Sequence, residues 1–256
     1  MSHQTSDLKT LFSCIDHTSL NATDTEASIE RFCANAIEMC DSVGTKLAAV
    51  CVYPAFVGVA AKTLKGSGIS VASVACGFPA GQIPLRLKID EVKYVIDQGA
   101  DEVDMVITRG DILEGNMIKV FDDIAAVREY CFSQKLKVIL ETGELQTEAN
   151  ITAASQTAIA AGADFIKTST GKIPAGATIE AAEIMLKVLT NNIEISKKPI
   201  GFKASGGIST VEQAMEYADL ARLFLGEQCF NKQYFRIGAS RLTSKLFELL
   251  AQKNRY

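Results

Sequence analysis

Histidine is scarce in this chain, with only His3 and His17 among 256 residues. No His/Cys cluster has the spacing of metal ligands, which disfavours a zinc-dependent mechanism. Without a central histidine no Ser-His-Asp arrangement is apparent either, and His17 reads as a strand residue with ordinary hydrogen bonds. CxxC pairs are absent: the seven cysteines stand at positions 14, 33, 40, 51, 76, 131 and 229, and an odd number cannot all pair within one chain. They read as buried thiols in a reducing compartment, and Cys51 reads as inert rather than as a reactive thiol at a barrel mouth. Blocks of basic charge are lacking too. The balance of 26 Lys+Arg against 30 Asp+Glu leaves a net charge of -4, so nucleic acid is not an expected partner.

Long apolar runs are equally missing. The opening MSHQTSDLKTLFSCIDHTSL holds no uninterrupted apolar segment and does not read as a signal peptide. The longest apolar stretch, LAAVCVYPAFVGVAA (47–61), is shorter than the ~20 residues a bilayer requires and is broken by Pro54. A cytoplasmic protein that does not engage a membrane is the expectation. There is no GxGxxG, and STGK (169–172) is not a Walker loop, because Ile166 stands where its first glycine would be. No Pro/Gly/Ser-rich linker divides the chain, so residues 1–256 read as a single domain.

What is present is a repeated alternation. Eight β-rich runs recur: CIDHTSL (14–20), LAAVCVY (47–53), SVASVAC (70–76), EVDMVI (102–107), LKVILET (136–142), FIKTS (165–169), IGFKA (200–204) and FRIGA (235–239). Several are almost continuously apolar, as parallel strands covered on both faces should be. Helical spacing lies between them. Thr23-x-x-Glu26 and Ser209-x-x-Glu212 have capping-box spacing, and Thr147 and Thr178 stand where N-caps would. GADEVD (99–104) and GADFIK (162–167) echo one another, placing Asp104 and Lys167 at the same point of their units. Eight strand–helix units without a linker predict an α/β fold of the (β/α)8 TIM-barrel class over an open doubly wound sheet.

In such a barrel the reactive groups gather at the C-terminal ends of the strands. Asp104, Lys167 and Lys203 each interrupt an apolar run late in the fourth, sixth and seventh strands. A lysine at a strand end ordinarily snorkels to water. If both lysines face the lumen of neighbouring strands, repulsion and desolvation lower the pKa of at least one. A neutral amine can attack a carbonyl and form a Schiff base, with Asp104 as proton acceptor. Further along, Gly171-Lys172, Gly206-Gly207 and Gly238-Ala239-Ser240 put small residues where backbone N–H groups can approach an anion. The loops after strands seven and eight are the usual phosphate site of this barrel, which suggests a monophosphorylated substrate.

ADEVDMVI (100–107), KVILETGEL (137–145), GADFIKTSTGK (162–172) and GFKASGGI (201–208) resemble the motifs of the 2-deoxyribose-5-phosphate aldolase family, class I aldolases with a (β/α)8 barrel. The likeness runs from about Ile15 to Ser240. It implies Lys167 as the Schiff-base lysine, Lys203 as the lysine that perturbs its pKa, and Asp104 as the carboxylate of the proton relay. It further implies that Gly171, Lys172, Gly206, Gly207 and Ser240 surround the phosphate, with Asp16 and Thr170 nearby. Small-molecule phosphosugar and aldehyde substrates follow, with no metal or organic cofactor and a homodimer common among relatives. Two departures stand out: Ala204 where many relatives have proline, and Arg241 where they have a second serine. Arg241 either adds a charge-assisted contact or points into solvent. In some relatives a mobile tail, here about 250–256, carries a terminal tyrosine to the active site, which makes Tyr256 a candidate for proton transfer or simply a frayed end. Two other readings stay open: a lysine-dependent aldolase or transaldolase for a different phosphosugar, and a non-catalytic sugar-phosphate binding protein.

Overall fold

A computed structural model describes residues 4–196 and 199–253. Every run expected as a strand is one: β1 (Ile15–Thr18), β2 (Ala49–Val52), β3 (Ser70–Ala75), β4 (Glu102–Val106), β5 (Lys135–Ile139), β6 (Phe165–Lys167), β7 (Gly201–Ser205) and β8 (Phe235–Ala239). Each pairs in parallel with the next and β8 closes on β1. Closure leaves no strand edge exposed. The helices are α1 (Thr5–Ser13), α2 (Glu26–Val43), α3 (Val57–Leu64), α4 (Leu85–Asp97), α5 (Arg109–Leu113), α6 (Met117–Arg128), α7 (Glu148–Ala160), α8 (Ile179–Ser196), α9 (Val211–Leu225) and α10 (Arg241–Lys253). The chain is thus a (β/α)8 barrel.

Two helix starts differ from the sequence reading. The N-cap of α2 is Thr25 rather than Thr23: its hydroxyl accepts from Ser28 N–H at 3.2 Å, and Ser28 Oγ accepts from Thr25 N–H at 2.8 Å. Likewise Thr210, not Ser209, caps α9, in a reciprocal pair with Gln213. In both cases the closer β-branched hydroxyl has the extended backbone that a cap needs. Thr147 and Thr178 do accept from Asn150 and Ala181 N–H as expected. Leu250 is fully buried within α10, on the stripe Leu242, Leu246, Leu250, so residues 250–253 are helix. Tyr256 lies outside the described residues.

Strand side chains alternate between two surroundings. Val50, Val52, Val103, Met105, Val138, Ile166 and Phe202 point outward into the large apolar layer beneath the helices. The inward residues do not match one another in character. On β2 and β3 they are small and apolar, Ala49, Cys51, Ala72 and Val74, forming a separate cluster. Their register partners Asp16 and Asp104 open a charged half. Phe165 occupies the lumen lower on β6, so tightly against Gly201 that a Cβ there would fall 2.2 Å from its ring. Only glycine fits at that partner position.

Candidate active site

Register brings the charged side chains together. Lys167, Lys203 and Arg236 are direct partners on β6, β7 and β8. Their backbones stand one strand spacing apart, about 4.8 Å. Facing them are Asp16 from β1, Glu102 and Asp104 from β4, and Lys137 from β5, all buried. Asp104 Oδ2 accepts from Lys167 Nζ at 2.8 Å and from Lys203 Nζ at 2.7 Å, while Oδ1 takes Lys137 Nζ at 2.8 Å. Asp16 accepts from Lys203 at 2.5 Å and from Arg236 at 2.5 Å, with Lys137 at 3.1 Å. Glu102 holds Lys137 at 2.6 Å and both terminal nitrogens of Arg236, at 3.1 and 2.9 Å.

The count of charges decides what this network can do. Three carboxylates (Asp16, Glu102, Asp104) face four cations (Lys137, Lys167, Lys203, Arg236), so one positive charge is in surplus. Burial makes a surplus charge costly, and the group with fewest partners relinquishes it. That group is Lys167. Among the described residues Asp104 is its one carboxylate partner, whereas each other cation has at least two. Burial depresses the Lys167 pKa despite Asp104, and the neighbouring Lys203 charge depresses it further. For Lys203 burial works in the same direction, yet Asp104 and Asp16 outweigh it and its pKa is raised. Lys137 is raised well above the usual lysine range, again against burial, by Asp104, Asp16 and Glu102. Asp104 is opposed by burial but held well below the carboxylate range by its three lysines. Two ammonium groups, Lys137 and Lys203, and one amine of depressed pKa, Lys167, therefore meet at the Asp104 carboxylate.

Above the network lies a cavity of about 290 Å³. Of the charged cluster only Lys167 reaches it. Thr170, Gly171, Lys172, Gly206, Gly207 and Ser240 line its walls, as does Arg241 at the first turn of α10. No aspartate or glutamate does. A helix N-terminus, two cationic side chains and a glycine-rich backbone give this wall the character of an anion site. Gly206 has φ 92, and a Cβ on it would sit 2.9 Å from the Gly176 backbone and 2.8 Å from Ser169 Oγ. Gly206→Ala is expected to cost about 1–3 kcal/mol of folding stability, read as a lower urea midpoint at unchanged slope.

Asp16 pairs in register with Gly238 of the cavity lining but does not itself line the cavity. Its carboxylate is held by Lys203, Lys137 and Arg236, while Thr18, two residues further along the same face of β1, reaches the cavity. Glu102, Lys137 and Arg236 escaped the sequence reading, which looked for charges late in strands. The signal was there: each interrupts an apolar run on the same face as a known lumen residue. His17 lies on β1 as expected but does not have ordinary hydrogen bonds. Its Nδ1 has no partner, its ring stacks on Phe32 at 4.0 Å, and burial pushes its pKa down to about 3. Cys51 is buried and burial pushes its thiol up to about 11, which suits an inert group. Among the described residues no group of three or more His, Cys, Asp and Glu is arranged to hold a metal ion, and no helix is long and apolar enough to cross a membrane.

A parallel barrel whose mouth joins a buried amine to a wall suited to an anion is the arrangement of an enzyme of the aldolase class. The chain belongs to the DeoC/LacD family of aldolases, which it matches over residues 10–240. It is 41% identical over 245 residues to the deoxyribose-phosphate aldolase of Homo sapiens and 40% identical to that of Mus musculus, in each case across 91% of this chain and 77% of the relative. Among solved structures it is similar to the tetrameric deoxyribose phosphate aldolase of Aeropyrum pernix, with TM-score 0.73 and 26% identity over 97% of this chain and 93% of that one.

Proposed function

We propose that the enzyme catalyses the reversible cleavage of 2-deoxy-D-ribose 5-phosphate to D-glyceraldehyde 3-phosphate and acetaldehyde through a Schiff base on Lys167. The observation that carries this reading is the surplus cation: Lys167 alone both reaches the cavity and can lose its proton without leaving a carboxylate unpaired. Its neutral Nζ attacks the C1 aldehyde of the open-chain sugar. The Lys203 ammonium gives a proton to the departing water, leaving a protonated imine. Asp104, through a water, takes the C3 hydroxyl proton. The C2–C3 bond breaks, its electron pair passes into the imine, and glyceraldehyde 3-phosphate leaves. Protonation of the enamine at C2 and hydrolysis release acetaldehyde. Gly171, Lys172, Gly206, Gly207 and Ser240 receive the phosphate, with Thr170 and Arg241 beside them. Tyr256, outside the described residues, is proposed for the C2 proton.

Acetaldehyde added with borohydride should leave a reduced two-carbon adduct on Lys167 in the peptide map; an adduct elsewhere, or activity lost to a chelator, overturns the assignment. Turnover of deoxyribose phosphate against ribose phosphate distinguishes this substrate from that of another lysine aldolase. Lys203→Met gives a further test. It removes a cation that depresses Lys167 and leaves Asp104 free to hold its proton, so the alkaline-rising limb of the pH–rate profile should move to higher pH. At neutral pH the trapping rate should fall about tenfold for each unit of that move.

The same reading places the protein in the cytoplasm as a homodimer. Seven buried free thiols suit a reducing compartment. Ile118 and Phe121, exposed on α6, offer apolar surface for self-association, which sedimentation would measure.

A further inference from the structure

Glu141 lies just beyond β5, in the KVILETGEL stretch, and takes no part in the chemistry above. Its backbone is left-handed, with φ 58 and ψ 58, a region that non-glycine residues seldom occupy. Hydrogen bonds on both sides hold it there. Leu140 N–H donates to Lys167 O and Thr142 N–H to Thr168 O, each at 2.9 Å. The turn directs the fully buried Glu141 side chain across to the loop after β6. There its carboxylate accepts from the Thr170 hydroxyl at 2.5 Å and from Thr170 N–H at 3.2 and 3.3 Å.

The Thr170 hydroxyl donates to that carboxyl oxygen; burial raises the Glu141 pKa, and the bonds from Thr170 hold it down. Thr170 Oγ1 then turns its lone pairs to Lys172 N–H, at 3.1 Å. The turn so formed encloses Gly171, with φ 74. Lys172 Nζ in turn donates to Leu20 O, tying the loop after β6 to the loop after β1. One carboxylate thus fixes both a hydroxyl direction and the backbone of the anion wall.

We propose that Glu141 is a positioning residue for that wall: it sets affinity for the phosphate end of the substrate and leaves the amine chemistry at Lys167 unchanged. The inference rests on reading the wall as a phosphate site. Glu141→Gln keeps the shape but replaces one acceptor oxygen by a donor. Kinetics would be compared on 2-deoxyribose 5-phosphate and on 2-deoxyribose, beside borohydride trapping of acetaldehyde. KM for the phosphorylated sugar should rise about tenfold or more, as for a lost bond to a charged group. Its kcat, the kcat/KM for 2-deoxyribose and the trapping rate should all stay within about threefold, a change too small to register as a lost hydrogen bond. Thr170→Val should likewise raise KM for the phosphorylated sugar, and the double variant should be no worse in that KM than the worse single one, since both break one linkage. Equal losses on both sugars, slower trapping or additive effects overturn the proposal. A wild-type enzyme indifferent to the phosphate group would instead overturn the phosphate site itself.

Discussion

Lys167→Met is expected to abolish aldol cleavage, by about 10⁴-fold or more, as removal of a covalent nucleophile does. The same variant should unfold at no lower temperature than the wild type. Methionine retains an unbranched apolar stem in a site that is almost wholly buried. With Lys167 gone, Asp16, Glu102 and Asp104 still face Lys137, Lys203 and Arg236, charge for charge. Ordinarily the loss of a buried ion-pair partner strands a charge in low dielectric. Here it strands none. Calorimetry beside a single-turnover assay checks both halves, and a large fall in melting temperature would show that Lys167 is part of the balanced set.

Lys137→Met should do the reverse. Lys137 bridges all three carboxylates and never reaches the cavity. Without it the lumen holds one negative charge too many unless Lys167 keeps its proton. Two effects follow from that single change: a loss of about 3–5 kcal/mol of stability, as for a broken buried pair, and an amine that stays protonated at neutral pH. The sign is fixed by linkage: removing a cation raises the Lys167 pKa, so activity returns only as pH rises. Adding Glu102→Gln restores the balance, with Asp16 and Asp104 against Lys203 and Arg236. The double variant should therefore recover part of both losses, with a coupling of about 0.5–3 kcal/mol. Denaturant unfolding and a pH–rate profile on the three variants measure it.

Much of this protein was legible in its order of residues. The strands were marked by short apolar runs, and Lys167, Lys203 and Asp104 by the interruptions they make late in those runs. The glycines of the anion wall were visible as small residues following strands six to eight. Caps were legible only to within one or two positions, since Thr23 and Thr25, or Ser209 and Thr210, offer the same hydroxyl and the choice falls to backbone geometry. Asp16 shares the lumen face with Thr18, and only the register shows that its carboxylate joins the charged network one layer below the cavity. Glu141 stood within a quoted motif, but its partner Thr170 is 29 residues away and only the strained turn after β5 joins them.

The sequence by itself determined a closed parallel barrel, because hydrophobic periodicity and capping chemistry act over a few residues and repeat eight times. It also marked two lysines and a carboxylate late in their strands, which would meet at the mouth if they faced the lumen. Only the tertiary structure decided that they do meet, and which lysine has its pKa lowered. A pKa is set by burial and by the sum of nearby charges, and here those charges arrive from β1, β4, β5, β6, β7 and β8, with Asp16 and Arg236 separated by 220 residues. No local pattern carries that sum; closing the barrel does.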